Sequence, residues 1–203
     1  MQTIISWSFI IAISFALTAE AEQNINGCLL KRRASCPGVN LSGKDLTKIN
    51  LSNTNLSGAN LSGANLSFDR VTEADLTRAN LSGANLTGTI MSISYMNNID
   101  LSHANLNKAD LSQTTLPDAN LTDANLTDAN ISMSNLSKTD FTGANCKGAV
   151  FVMSSMTYAN LTRANLTDAK LVGADLHNAI LTGAIFCRTK MPDRSINNSN
   201  CPK

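Results

Sequence analysis

The chain has 203 residues, enough for one domain with a substantial core, and a formal net charge of +1. That balance excludes a strong field of either sign, so nothing favours steering to nucleic acid or imitation of it. Aromatic residues at 4% and charged residues at 15% are both scarce, the latter against roughly 25% in ordinary domains.

The N-terminus reads as an export signal. Ile4 to Leu17 is a mostly apolar run, shorter than the roughly 20 residues that cross a bilayer as a helix. Ala19-Glu20-Ala21 supplies an A-x-A cleavage site, so the spacing predicts a signal peptide over 1–21 and a mature chain from Glu22. The n-region, Met1-Gln2-Thr3, carries no Lys or Arg; the alternative reading is an apolar cap on a cytosolic chain. Ile25-Asn26-Gly27-Cys28 resembles a lipoprotein cleavage box, but Glu20 and Glu22 separate it from the apolar run. No stable membrane anchor is expected.

Residues 22–35 are expected to cap the domain, with Asn26 to Ser35 as a short helix or loop and Leu29 and Leu30 covering the first edge. From Leu41 to Phe186 every fifth position is then apolar, thirty centres in a row without a slip. Five fits neither the 3.6 period of a helix nor the 2.0 of a strand. It fits one short extended segment and one turn per five residues, always turning the same way. The centre points inward, and so does the residue two before it, which is mostly Ala (Ala59, Ala64, Ala79, Ala104). Asn or Asp just before the centre and Ser or Thr just after it face solvent and can bond the turn backbone. A repeat of this length disfavours disorder and an enzyme alike.

The text around the centres, as in A-N-L-S-G at 79–83 and A-N-L-T-D at 124–128, resembles the pentapeptide-repeat family. The resemblance implies an all-β fold: a right-handed quadrilateral parallel β-helix over 36–190 with four repeats per coil and about 7.5 coils. At about 4.8 Å between coils the rod would be about 36 Å long. Residues 191–203 would form a C-terminal cap. The tail resembles that of exported members, which implies a loop closed by Cys187–Cys201 and a protected last edge. Cys28 and Cys36 make a second terminal pair, consistent with an oxidising compartment. Cys146 replaces a centre and should be a buried, inert thiol.

Residues twenty apart should stack. One side then carries an outward ladder of Asn65, Asn85, Asn105, Asn125, Asn145 and Asn165, able to bond along the rod. Another is unusual: Ile90, Ile93, Met133, Val150, Val152, Met153 and Val172 stand where the repeat puts polar or small residues, with Tyr95 and Tyr158 on the side next to it. Such a face is either a partner or self-association surface, or local drift that turns inward. Asp69 falls at an inward position; a bulge that frees it to reach solvent or backbone amides is expected.

No catalytic group, cofactor site or metal site is expected. His103 and His177 do not stack, no nucleophile–base pair or phosphate loop is present, and Asp118, Asp123 and Asp128 point away from one another. The expected function is therefore a non-enzymatic exported scaffold or interaction module with an unknown protein partner and no nucleic acid. The resemblance also implies an alternative, the topoisomerase-binding, quinolone-protecting role of some members, which are acidic and cytosolic. A third reading is ordered-water or ice binding by rows such as Ser42, Ser62, Ser82, Ser102, Thr122, Thr142, Thr162 and Thr182. Many Asn-Leu-Ser and Asn-Leu-Thr sequons argue against a eukaryotic secretory route, so a periplasm or thylakoid lumen is the expected location.

Overall fold

A computed structural model describes residues 22–201. The expected signal peptide, 1–21, lies outside the described residues.

Most repeats are turns closed on their own centre. In Leu56–Ala59 the Ala59 N–H donates to the Leu56 carbonyl at 3.0 Å, and Gly58 between them has φ +65°. That is the geometry of a type II turn, which needs a left-handed third residue. The Asn or Asp before the centre supports it. Asn60 Oδ1 accepts the Ser62 N–H at 3.1 Å, and Asp100 Oδ1 the Ser102 N–H at 3.0 Å. The amide or carboxylate thus binds the turn backbone, which explains why this position is so constant along the chain.

Between coils the backbone pairs in parallel, always twenty residues apart: Asn65 with Asn85, Asn85 with Asn105, Asn105 with Asn125. The bridges run from Ser35–Asn55 to Lys170–Lys190. Four repeats per turn produce a right-handed, four-sided solenoid whose interior is filled by the centres and the small residues two before them. Leu41, Leu61, Leu81, Leu101 and Leu161 are fully buried. The largest interior side chains, Phe141 and Phe151, meet edge to face at 5.9 Å between ring centroids.

The N-terminal cap is a β-hairpin, where a short helix or loop was the sequence expectation. β1 (Gln23–Ile25) pairs antiparallel with β2 (Cys28–Leu30). The two-residue loop is Asn26-Gly27, both at positive φ (53° and 80°), the pairing a tight hairpin favours. Strand alternation then buries Leu30 and leaves Leu29 exposed, so only Leu30 covers the first coil. The disulfide Cys28–Cys36 ties β2 to the solenoid.

At the other end β3 (Thr189–Lys190) pairs antiparallel with β4 (Ile196–Asn197), and Cys187–Cys201 closes the cap. The cap covers part of the last edge. Among the described residues, Asp175 and Ile180 are bridged only to the coil before them, and Leu176 and Leu181 are only partly buried. A protected last edge was the expectation; the tail leaves the sides of Leu176 and Leu181 partly open.

Asp69 reaches a backbone amide, as expected, but does so without leaving its inward position. No residue is inserted there: Asp45–Asn65 before it and Asn55–Asp75 after it keep the twenty-residue step, and the Leu51 N–H still donates to the Arg70 carbonyl at 2.8 Å, but the bridge between Asn50 and Arg70 beside Asp69 does not form. Asp69 stays inward and is only 7% exposed. Its Oδ1 accepts the Lys48 N–H at 2.7 Å. By the pattern of Gly43 to Ser62 and Asn53 to Thr72, that N–H belongs to the Ser67 carbonyl. The rung from Lys48 to Ser67 is thus given to a side chain, and the rung from the Arg70 N–H to the Ile49 carbonyl, which the pattern of Asn65 to Lys44 and Asp75 to Thr54 would supply, is also absent.

Candidate functional site

The outward apolar residues do not turn inward. Ile93, Met133 and Met153 occupy one corner of the rod and are 51%, 59% and 65% exposed. Gln113 is the fourth member of that row, between Ile93 and Met133. At about 4.8 Å per coil the row runs about 14 Å from Ile93 to Met153. Each corner residue is left-handed (Ile93 φ 62°, Met133 φ 57°, Met153 φ 59°), a conformation that disfavours a β-branched residue such as Ile.

The side before the corner carries the remaining predicted residues. Ile90 and Val150 share one row three coils apart, with Asp110 and Asn130 between them. Val152 and Val172 are neighbours in a second row. All four are partly exposed. On the side after the corner Tyr95 is 59% exposed, and Tyr158 at the next corner is 57% exposed. From Ile90 to Thr157 the outward positions of these two sides and their shared corner hold one charged residue, Asp110. Asp100, Asp123, Asp140, Lys147 and Arg163 all lie on the other two sides and the corner between them. The nearly uncharged sides are flanked by charged corners, with Lys108 and Asp128 on one and Asp118 and Lys138, in the row of Tyr158, on the other.

Directly behind the apolar corner the polarity is reversed. Ser94, Thr114, Ser134 and Ser154 stack inside, all buried, where the repeat normally places Ala. Each serine hydroxyl acts as a clip between coils. Ser134 Oγ donates to the Leu111 carbonyl at 2.9 Å and accepts the Thr114 N–H at 3.1 Å. Ser94 does the same to Val71 and Ala74, and Ser154 to Ile131 and Ser134. The two ends of a turn that would otherwise bond each other are joined through a hydroxyl of the next coil. The sequence reading missed this column. Its signal was present as Ser or Thr two before the centre at 94, 114, 134 and 154, twenty apart.

Phe68, 77% exposed, belongs to a different corner, where its ring lies over Gly88. The Asn row bonds in pairs rather than continuously. Asn85 donates to Asn65 and Asn125 to Asn105, each at 3.0 Å, while Asn105 and Asn145 turn to the hydroxyls of Thr87 and Thr127. Cys146 is the free cysteine, fully buried, and burial pushes its thiol up to about 12. Among the described residues no cluster of three or more His, Cys, Asp or Glu could hold a metal ion, and no helix is long and apolar enough to cross a membrane. Asp123 and Asp128 each lie over a corner glycine of the next coil, Gly143 and Gly148.

A four-sided parallel solenoid built from five-residue turns, with Ala-Asn-Leu-Ser/Thr as its recurring text, defines a class of protein. The family profile for pentapeptide repeats matches in eight copies over residues 32–67, 70–92, 94–132, 119–157, 134–171 and 159–191. The chain belongs to the pentapeptide-repeat family. Among solved structures it is similar to HetL, a pentapeptide-repeat protein involved in heterocyst differentiation regulation in the cyanobacterium Nostoc sp. strain PCC 7120. The identity is 30%, over 81% of this chain and 90% of HetL, with a TM-score of 0.34. It is similar at 34% identity to a pentapeptide-repeat protein of the Arabidopsis thaliana thylakoid lumen, over 57% of this chain and 66% of that one, with a TM-score of 0.22. QnrB1, a plasmid-mediated fluoroquinolone resistance protein, matches at 18% identity over 71% of this chain and 87% of its own, with a TM-score of 0.44. No curated protein sequence matches the chain.

Proposed function

We propose that this protein is a non-enzymatic, exported interaction module that presents the apolar corner of a rigid rod to a protein partner. The observation that carries this reading is the inverted polarity of that corner. Ile93, Met133 and Met153 stand exposed outside while Ser94, Thr114, Ser134 and Ser154 are buried inside. Apolar drift on a surface gains nothing and lowers solubility. A paired set of hydroxyl clips behind it fixes the backbone that carries the exposed side chains. Flexible methionines suit contact with an irregular apolar partner surface.

Export is supported by the two disulfides that close both ends. The topoisomerase-binding reading ranks lower because the net charge is +1 and the acidic residues share their sides with Lys147 and Arg163. Ice binding ranks lower still. The Thr142 and Thr162 hydroxyls are spent on Asp140 and Asn160, each at 2.6 Å.

The test is a pull-down from periplasmic extract with the mature protein and with Met133→Asp and Met153→Asp. Loss of a partner in both variants, with thermal unfolding unchanged, is expected. Identical partner sets for all three proteins would overturn the reading.

A further inference from the structure

We propose that Asp69 makes the joint between the first two coils an acid-tightened seam: as a carboxylate it keeps the backbone rung from Lys48 to Ser67 open, and on taking a proton it closes that rung as a hydroxyl does elsewhere in the rod. The comparison comes from equivalent positions. Thr89 and Thr139 also sit two before a centre, and Thr189 holds the same register one step past the last centre; each donates its hydroxyl to the carbonyl twenty-three residues back: to Leu66 at 2.7 Å, Leu116 at 2.7 Å and Leu166 at 2.6 Å. The acceptor at the same step from Asp69 is the Leu46 carbonyl. A carboxylate has no proton to give it.

Asp69 therefore does something else. Its Oδ1 takes the Lys48 N–H at 2.7 Å, and its Oδ2 is buried with no partner. A buried unpartnered carboxylate oxygen destabilises the charged form. Protonation removes the charge and supplies the donor that the Leu46 carbonyl can accept. The O–H donates there, and the Lys48 N–H is released to the Ser67 carbonyl, its partner by the pattern of the other corners.

The surroundings favour this. On the coil below lie Asp45 and Lys48, and beside Asp69 in the chain lies Arg70; the coil above offers Gly88, Thr89 and Ile90, none of them ionisable. Asp45 is held ionised by its bonds from Thr47, so its negative charge stands near Asp69. Burial, against the Lys48 bond and with the help of Asp45, pushes the Asp69 carboxyl up to about 6. A group raised on folding adds stability that is complete below its unfolded value, near 3.9, and is lost as pH rises through about 6. The seam is tight in mild acid and loose near neutrality. The hairpin cap and first coil, residues 22–54, then open as a unit, leaving the strand edge of the second coil free.

The experiment is amide hydrogen exchange of the mature protein at about pH 5 and about pH 7.5, corrected for intrinsic rates, on the wild type, Asp69→Thr and Asp69→Ala. The wild type is expected to lose protection over residues 40–54 by about tenfold or more at the higher pH, because the protonated fraction falls about tenfold for each step of one in pH above the folded value. Asp69→Thr restores the hydroxyl bond permanently, and Asp69→Ala, the common residue of the repeat, removes the charge. Both are expected to hold acid-level protection at either pH. Equal wild-type protection at the two pH values overturns the proposal, as does a pH dependence that survives in either variant.

Discussion

The thioether of Met153 lies across Gly173, one coil further along, so that a Cβ on Gly173 would meet Met153 Sδ. Phe68 over Gly88, Asp123 over Gly143 and Asp128 over Gly148 repeat the arrangement. A corner without a side chain is where the preceding corner's side chain rests. Gly173 also has φ +68°, which costs an alanine there about 1 kcal/mol. Gly173→Ala should therefore lower stability by about 1 kcal/mol and lift Met153 from the surface. Met153→Ala alters an exposed residue and should change stability by less than about 0.5 kcal/mol. Urea unfolding of the two variants checks this; equal midpoints would contradict the arrangement.

Ser134 tests the hydroxyl clips. By the repeat's own composition Ala is the ordinary residue at this position, so Ser134→Ala would be expected to be harmless. The structure says otherwise, because Ser134 Oγ bonds both the Leu111 carbonyl and the Thr114 N–H. The turn can partly close on itself once the hydroxyl is gone, so the expected loss is the net value of about one hydrogen bond, about 1 kcal/mol. Chemical denaturation measures it. A variant more stable than the wild type would mean that the clips strain the corner rather than hold it.

Most of the architecture was legible in the sequence, since a five-residue apolar period admits one class of shape and Leu41 to Phe186 never leaves it. What escaped were features set by contacts between coils. The Ser94–Ser154 column is readable only when the sequence is written twenty residues to a row. Asp69 looked like a break because a buried carboxylate is costly alone, and the Lys48 N–H that receives it lies 21 residues back. Asn26-Gly27 did carry a hairpin signal in its turn chemistry, masked by the adjacent Leu29 and Leu30, which suit the apolar face of a helix equally well. The exposed corner was legible as a set of misplaced apolar residues. That Ile93, Met133 and Met153 form one row on a half with Asp110 as its one charged residue depended on the coil length holding at twenty throughout.

The thiols separate cleanly by environment. Cys146 is fully buried with its thiol pushed up to about 12, while Cys28–Cys36 and Cys187–Cys201 are paired. The folded, oxidised protein should give no reaction with a thiol reagent at neutral pH, because thiolate is the reacting form. Denaturation without reductant should release one thiol, and denaturation with reductant five. Breaking Cys187–Cys201 by a Cys201→Ser change should cost up to about 3 kcal/mol in the chain-entropy account, read as a lowered unfolding midpoint. A fast-reacting thiol in the native protein would contradict the burial of Cys146.

The C-terminal cap has a pH dependence opposite to that of the Asp69 seam. Arg188 donates to Asp168 twice, from Nε at 2.6 Å and from a terminal nitrogen at 2.7 Å, across one coil step. Arg188 follows Cys187 and gives its own N–H to Asn198 Oδ1 at 2.9 Å, so the pair links the last full coil to the cap. The Arg188 bonds and charge hold the Asp168 carboxyl below its ordinary value. Stability from a lowered carboxylate is present above the unfolded value, near 3.9, and is lost as pH falls through the folded one. Wild-type unfolding midpoints should thus decline on acidification below about pH 4, and Arg188→Ala should reduce that part of the decline. Both partners are solvent-exposed, so the contribution is small and screened by salt. Repeating the pH series at about 0.5 M salt should narrow the gap between wild type and variant. A difference that salt leaves unchanged would place the effect in packing of the Arg188 stem against the cap rather than in the ion pair.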